Sequence, residues 1–254
     1  MDRGRRPSGT EPRTVNASFN IPSTVIFGPG ARRELPSQLR RLGVSRSLLV
    51  TDSYMVSSGL AASTQSELLA AGIVTELFAD VRPDPSEENV LAGLGRYQAF
   101  GAEAVVALGG GSPIDCGKAV AALTGNPLPL GQYMGRDKFS RAGAPLVAIP
   151  TTAGTGSEVT KAAVITDTQR DVKMLMLDRY LLPTVALVDY ELTLSMPKVL
   201  TAAVGVDTLT HGIEAFVSRL ANPSRFARGF LPRNSCHLSP ARLSKHRIFN
   251  IRSR

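Results

Sequence analysis

The sequence predicts an α/β protein whose parallel sheet gives way, near Leu194–Pro197, to an all-α segment. Three observations predict it. Short apolar runs alternate with helix-like stretches of about 10–15 residues, the pattern of βαβ units. The run Gly109-Gly110-Gly111-Ser112-Pro113-Ile114-Asp115 joins an apolar strand-like run, Ala104–Leu108, to a helix-like run, Cys116–Leu123. Beyond Met196-Pro197 only helical periodicity remains, from Lys198 to Ser218.

Taken in order, residues 1–15 are polar and read as a disordered leader. Thr24–Phe27 is a short strand ending at Gly28-Pro29-Gly30, and Ala31–Leu42 carries Leu35, Leu39 and Leu42 at helical spacing. Ser47–Thr51 is a strand that stops at Asp52, Ser57–Ala71 a helix, Val74–Phe78 a strand and Ser86–Phe100 a helix. At the glycine turn Ser112 suits a helix cap and Pro113 the first helical position, with Asp115 three residues after the cap. Pro145–Ile149 is a strand entering the hydroxyl-rich run Pro150–Thr160. Thr160–Thr166 and Asp171–Leu177 form a hairpin around Asp167-Thr168-Gln169-Arg170, and Val185–Val188 is one more buried strand. The expected domain plan is a leader (1–15), an α/β domain (16–196), the start of a helical domain (197–222) and a basic tail (223–254).

Composition narrows the function classes. No apolar run approaches the ~18–20 residues of a membrane span, and Met1–Arg13 lacks the apolar centre of a secretory signal. Two cysteines, Cys116 and Cys236, do not imply a disulfide framework and make a reducing cytoplasm the expected location. The net charge of +8 sits in the tail: Pro223–Arg254 holds seven Arg, one Lys and no acid, which leaves 21 bases and 21 acids upstream. That neutral body lacks the basic and aromatic surface of a nucleic-acid binder. Neither nucleic acid nor membrane is an expected partner.

Four motifs carry chemistry. A glycine turn at a helix start exposes backbone N–H groups at the positive end of the helix dipole, a site for phosphate or pyrophosphate. Gly110, Gly111 and Ser112 would form it; a tight turn without a ligand is the plainer reading. Asp52, at a strand end, suits the hydroxyls of an adenosine ribose and would repel a 2′-phosphate, favouring NAD over NADP. Taken alone it better suits a cap for the next turn. Thr151, Thr152, Thr155 and Ser157 offer hydroxyls to a phosphate, ribose or carboxamide, or make an ordinary polar loop. Asp207 and His211 share one helix face at i, i+4. A carboxylate and an imidazole so placed can bind Fe²⁺ or Zn²⁺, or simply bond each other. Their neighbours Val206, Leu209, Ile213 and Phe216 predict a helix that is largely buried.

These pieces occur together in a familiar order. The chain resembles the iron-containing (group III) alcohol dehydrogenase family over about residues 16–222. The matching segments are Phe27-Gly28-Pro29-Gly30, Val50-Thr51-Asp52, Gly109 to Asp115, Pro150 to Thr160, and Gly205-Val206-Asp207-Thr208-Leu209-Thr210-His211. The resemblance implies a dehydroquinate synthase-like architecture: an α/β dinucleotide-binding domain followed by an all-α metal-binding domain. It implies that Asp52 binds the adenosine ribose, that Gly110, Gly111 and Ser112 cradle the pyrophosphate with Asp115 nearby, and that Thr151, Thr152 and Thr155 line the cofactor cleft. Lys173 matches a lysine that contacts the cofactor ribose; from the sequence alone it is a solvated hairpin residue.

The family's metal is held by one Asp and three His, of which Asp207 and His211 match the first two. The implied activity is hydride transfer between an alcohol and NAD, giving an aldehyde or ketone. The implied metal is Fe²⁺ with Zn²⁺ as the alternative, the partner a small alcohol or aldehyde, and the assembly a homodimer. Glycerol dehydrogenase-like or maleylacetate reductase-like chemistry, or a nucleotide-binding fragment without catalysis, are the alternatives.

After Asn222-Pro223 the match ends. His237 and His246 lack any matching context, and the break in charge and periodicity predicts a chain truncated or frame-shifted from about Ser224. A genuine basic tail for an acidic partner is the competing expectation. Without further helices over Lys198–Ser218 an apolar face would stay open and solubility would be poor.

Overall fold

In the computed structural model, residues 20–217 are described. The readings of the leader at 1–15 and of the tail, with Cys236, His237 and His246, lie outside them.

Strands β1 (Thr24–Phe27), β2 (Arg46–Asp52), β3 (Val74–Val81) and β4 (Ala104–Gly109) alternate with helices α1 (Leu35–Arg41), α2 (Ser53–Ser57), α3 (Leu60–Ala70) and α4 (Glu87–Phe100). There follow α5 (Gly111–Leu123), the two-residue β5 (Gly135–Arg136), β6 (Leu146–Pro150), β7 (Ala162–Asp167), β8 (Val172–Leu177), β9 (Val185–Val188) and α6 (Lys198–Val217). Six strands form one parallel sheet in the order β1-β9-β6-β4-β2-β3. β7 and β8 pair as an antiparallel hairpin, with β5 alongside β8.

Every residue of β4 and of β6 is buried, as a parallel strand covered on both faces requires. Alternate residues feed two cores. Leu48, Val50, Val105, Ala107 and Ala148 pack with Val90 of α4 and with Ile114, Ala119 and Val120 of α5. Leu49, Val106, Leu108, Val147 and Leu187 pack on the opposite face with Leu39 of α1 and with Ala61 and Leu68 of α3. The sheet is therefore doubly wound. From β2 the chain moves outward to β3, then returns to pair β4 on the other side of β2. In such sheets ligands bind outside the carboxyl ends of the strands at this switch point. Here those ends are Asp52 and Gly109.

Most element boundaries fall within two residues of expectation, and four features differ more. Ala31–Glu34 is a 3₁₀ turn, and α1 begins only at Leu35. The single helix expected at Ser57–Ala71 is two, because Asp52 caps α2 at Ser53 and Gly59, at φ 79°, breaks the chain before α3. β3 runs on to Val81. The cap of α5 is Gly110, so Ser112 and Pro113 lie inside the helix. For α4 the expected start holds: Ser86 and Asn89 form a reciprocal capping box.

The chain forms two compact units, one running through Thr152 and from Gly156 to Met196, the other made of Ala153–Thr155 with the chain from Pro197. In the second unit Val206, Leu209, Ile213 and Phe216 of α6 are exposed, which corrects the expectation of a largely buried helix. Among the described residues nothing covers that stripe. No described helix is long and apolar enough to cross a membrane.

Candidate functional site

The carboxyl edge of the first unit's sheet is organised around Gly109. Its φ of +144° is open to glycine, and a Cβ there would lie 2.7 Å from Pro113 Cγ. Thr51 Oγ1 donates to the Leu108 carbonyl at 2.7 Å, and the Thr151 N–H donates to the Gly109 carbonyl at 2.9 Å, pinning the turn from both neighbouring strands. No side chain caps α5. The N–H groups of Gly111 and Ser112 therefore have no intrahelical partner and face outward at the positive end of the dipole.

Two sequence-predicted side chains meet this turn. Asp52 Oδ1 accepts the Met55 N–H at 3.0 Å, the capping role the residue offered on its own, while Oδ2 lies 3.5 Å from where a Gly109 Cβ would be. Thr152 lies against Gly110, its Cγ2 3.3 Å and its Oγ1 3.5 Å from an added Cβ. Thr152 Oγ1 is buried and has no hydrogen-bond partner among the described residues. The hydroxyl lies beside an uncapped helix start with its donor and acceptor unused among the described residues.

Asp115 is turned inward. It accepts from the Ser157 hydroxyl and, at 2.9 Å, from the Val164 N–H. Burial pushes its carboxyl up, while Lys118 and these two bonds pull it back. Lys173 is on the exposed side of β8, where its Nζ donates to Asp84 Oδ1 at 2.8 Å. The structure thus gathers Asp52, Gly110, Gly111, Ser112, Thr151 and Thr152 at one edge, puts Asp115 beneath it, and leaves Lys173 in a solvated ion pair.

In the second unit Gly154 has φ +143°, and a Cβ there would meet Thr208 Oγ1 at 2.4 Å and the Val204 carbonyl at 2.6 Å. The short run Ala153–Thr155 therefore lies directly on α6. The Gly154 carbonyl is 3.3 Å from His211 Nδ1, within hydrogen-bond reach of that ring nitrogen. Nε2 is 3.8 Å from Asp207 Oδ1, and both side chains are about half exposed.

Comparison with known proteins decides the family. The profile described as iron-containing alcohol dehydrogenase matches residues 22–190. The chain belongs to the iron-containing alcohol dehydrogenase family.

Among relatives it is similar to an NAD-dependent methanol dehydrogenase of Bacillus methanolicus, 39% identical over 206 residues, covering 81% of this chain and 54% of that one. It is likewise similar to a 1,3-propanediol dehydrogenase of Klebsiella pneumoniae, 38% identical over 81% of this chain and 54% of the relative. A solved 1,3-propanediol oxidoreductase superposes with a TM-score of 0.79 at 38% identity, covering 82% of this chain and 54% of that one. A sulfoacetaldehyde reductase from Bifidobacterium kashiwanohense, solved with NAD⁺, gives 0.74 at 34% identity, covering 81% and 55%. The chain spans about half the length of the curated relatives it matches.

The iron-containing alcohol dehydrogenase family implies a nicotinamide cofactor and a metal, and the residues fit the two unequally. The glycine cradle, the open N–H groups and the Thr152 hydroxyl suit a pyrophosphate diester. For the metal, no group of three or more His, Cys, Asp or Glu among the described residues is arranged to hold an ion. Asp207 and His211 are two donors, fewer than the three protein ligands that catalytic zinc sites keep. The described residues do not by themselves make a metal centre.

Sequence reasoning missed two buried charges and a partly buried carboxylate in this iron-containing alcohol dehydrogenase fold. Asp189, at the end of β9, accepts from the Gly30 N–H at 3.1 Å and the Arg32 N–H at 3.4 Å, and so shapes the Phe27–Gly30 loop. Lys118 is wholly buried, and Glu158 faces it. The available signal was a lone lysine inside the apolar run Cys116–Leu123.

Proposed function

We propose that this chain provides the NAD-binding part of a metal-dependent oxidoreductase that interconverts an alcohol and an aldehyde or ketone. The observation that carries the reading is the uncapped start of α5 beside the orphaned Thr152 hydroxyl. Gly110, Gly111 and Ser112 hold the pyrophosphate through backbone N–H groups, and Thr152 adds a side-chain bond. Thr151 keeps the turn in place through its bond to Gly109, and Thr155 belongs to the same cleft-lining run. Asp52, with Oδ1 occupied by Met55, presents Oδ2 to the adenosine ribose; its charge disfavours a 2′-phosphate and so NADP. Lys173 exchanges Asp84 for the cofactor ribose. Asp115 stiffens the turn from below. Bound at this edge, NAD would supply the hydride chemistry, and the protein's share would be orientation.

Asp207 and His211 are the described donors offered to a divalent metal, iron or zinc. The domain plan stands as a proposal too, with residues 16–196 binding nucleotide and 197–222 opening the metal-binding part. Cys116, buried and unpaired, suits a reducing cytoplasm. A second reading, nucleotide binding without catalysis, draws on the incomplete donor set.

The test is a fluorescence titration of the full chain with NADH and NADPH, followed by an alcohol panel read as NADH formation with Fe²⁺ or Zn²⁺ present. NADH binding at least about tenfold tighter than NADPH is expected from the carboxylate at position 52. Binding without turnover favours the second reading; binding of neither nucleotide overturns both.

A further inference from the structure

We propose that Lys118 is a positioning residue that keeps the glycine turn receptive to an anion, by cancelling the Asp115 carboxylate beneath it. The proposal rests on the nucleotide-binding reading above.

Lys118 lies two turns into α5 with no exposed surface. Its Nζ donates to the Thr160 carbonyl at 2.9 Å and the Ala162 carbonyl at 2.7 Å, with Thr160 Oγ1 at 3.4 Å. Asp115, one turn nearer the helix start, holds Ser157 and Val164 of the same segment. One helix thereby clamps residues 157–164, the continuation of the hydroxyl-rich run, at both ends.

The charge matters as much as the clamp. Asp115 lies about 6 Å along the axis from the start of α5, at 1.5 Å per residue. A bare carboxylate at that depth, in low dielectric, opposes any anion docking on the turn. The charged groups facing Lys118 are Asp115 from α5 and Glu158 from the short 3₁₀ turn Ser157–Val159. Burial pulls the ammonium down to about 8, and these two carboxylates pull it back up. Burial in turn pushes Glu158 up, against the pull of Lys118. At neutral pH the ammonium is in place and offsets one carboxylate charge beneath the turn.

Binding of NADH to the full chain separates this role from that of a plain hydrogen-bonding strut. The NADH pyrophosphate diester does not titrate between pH 7 and 9.5, so pH changes report on the protein. Lys118→Met weakens NADH binding by roughly tenfold, and Asp115→Asn/Lys118→Met returns it to within about threefold of the parent, because the uncompensated carboxylate is gone. Asparagine can still accept from Val164 and donate to Ser157. A double variant as weak as the single one overturns the proposal, since a lost strut is not restored by removing a charge.

If Lys118→Met does not fold, the parent's pH profile decides. Affinity falls severalfold from pH 7 to 9.5 in the parent as the ammonium is lost; a level parent profile overturns the proposal. A parent that binds NADH, with Lys118→Met binding equally well, overturns this inference alone. A parent that binds no NADH at any pH overturns the nucleotide-binding reading and this inference with it.

Discussion

Gly109 and Thr152 show how much of the candidate site rests on single atoms. A Cβ at 109 would meet Pro113 at 2.7 Å in a backbone conformation that L residues rarely adopt. Gly109→Ala should cost about 2–4 kcal/mol of stability by urea denaturation and abolish NADH binding. Thr152→Val has the opposite signature. It removes a buried hydroxyl that has no partner, so the free protein should be unchanged or about 1 kcal/mol more stable. NADH binding should weaken by about tenfold or more, the worth of one hydrogen bond to a charged group. Weaker stability together with unchanged binding would show that the hydroxyl serves the fold and not a ligand. The residue types at this edge were readable because glycine, threonine and a strand-ending aspartate each restrict what the backbone can do. The orphaned hydroxyl was not readable, since it depends on which neighbours fail to reach it.

At the scale of elements, α4 and α5 pack through a glycine. A Cβ at Gly93 would lie 2.9 Å from Val120 Cγ2 and 3.2 Å from Phe78 Cε1, whereas one at Gly95 meets nothing within 4 Å. Both sit inside α4. Gly95→Ala should therefore stabilise by about 0.5–1 kcal/mol, the helix-propensity gain. Gly93→Ala carries the same gain but should destabilise by about 1 kcal/mol net, because overpacking costs more. Equal effects in thermal melts would show that the two helices are not closely packed. Local chemistry located most helices: Ser86 caps α4, and leucine spacing marks α1. It failed at Ser57–Ala71, where the helix period continues across Gly59 although the backbone does not, and at α5, where Ser112 and Pro113 favour a later cap than the close strand-to-helix turn allows.

Across the whole molecule, two buried groups on α5 set opposing responses to alkali. Burial, with Asp115 adding to it, pushes the Cys116 thiol up to about 12, and burial brings Lys118 down to about 8. Between pH 8 and 10.5 the unfolded chain holds more protons at Lys118 than the native one, so that group adds stability as pH rises. Above pH 9 the unfolded thiol ionises while the native one cannot, so Cys116 removes stability as pH rises. The stability of Cys116→Ala relative to the parent should therefore improve above pH 9 by up to about 1.4 kcal/mol per pH unit. A difference that stays constant from pH 8 to 10.5 in urea titrations would refute the burial of that thiol.

The amino-acid sequence by itself determined the α/β class, the strand order along the chain, the glycine turn with its neighbouring aspartate and threonines, and the Asp207–His211 pair. Each of these is written in local spacing and in the conformational limits of particular residue types. Only the tertiary structure decided that Asp52 and Gly109 flank one switch point, that Thr152 is left without a partner, and that Lys118 is buried over Asp115. It also decided that Lys173 pairs with Asp84 and that the apolar stripe of α6 is exposed. These are relations between segments distant in the chain, fixed by which strands pair and which faces pack, and spacing along a sequence does not encode them one residue at a time.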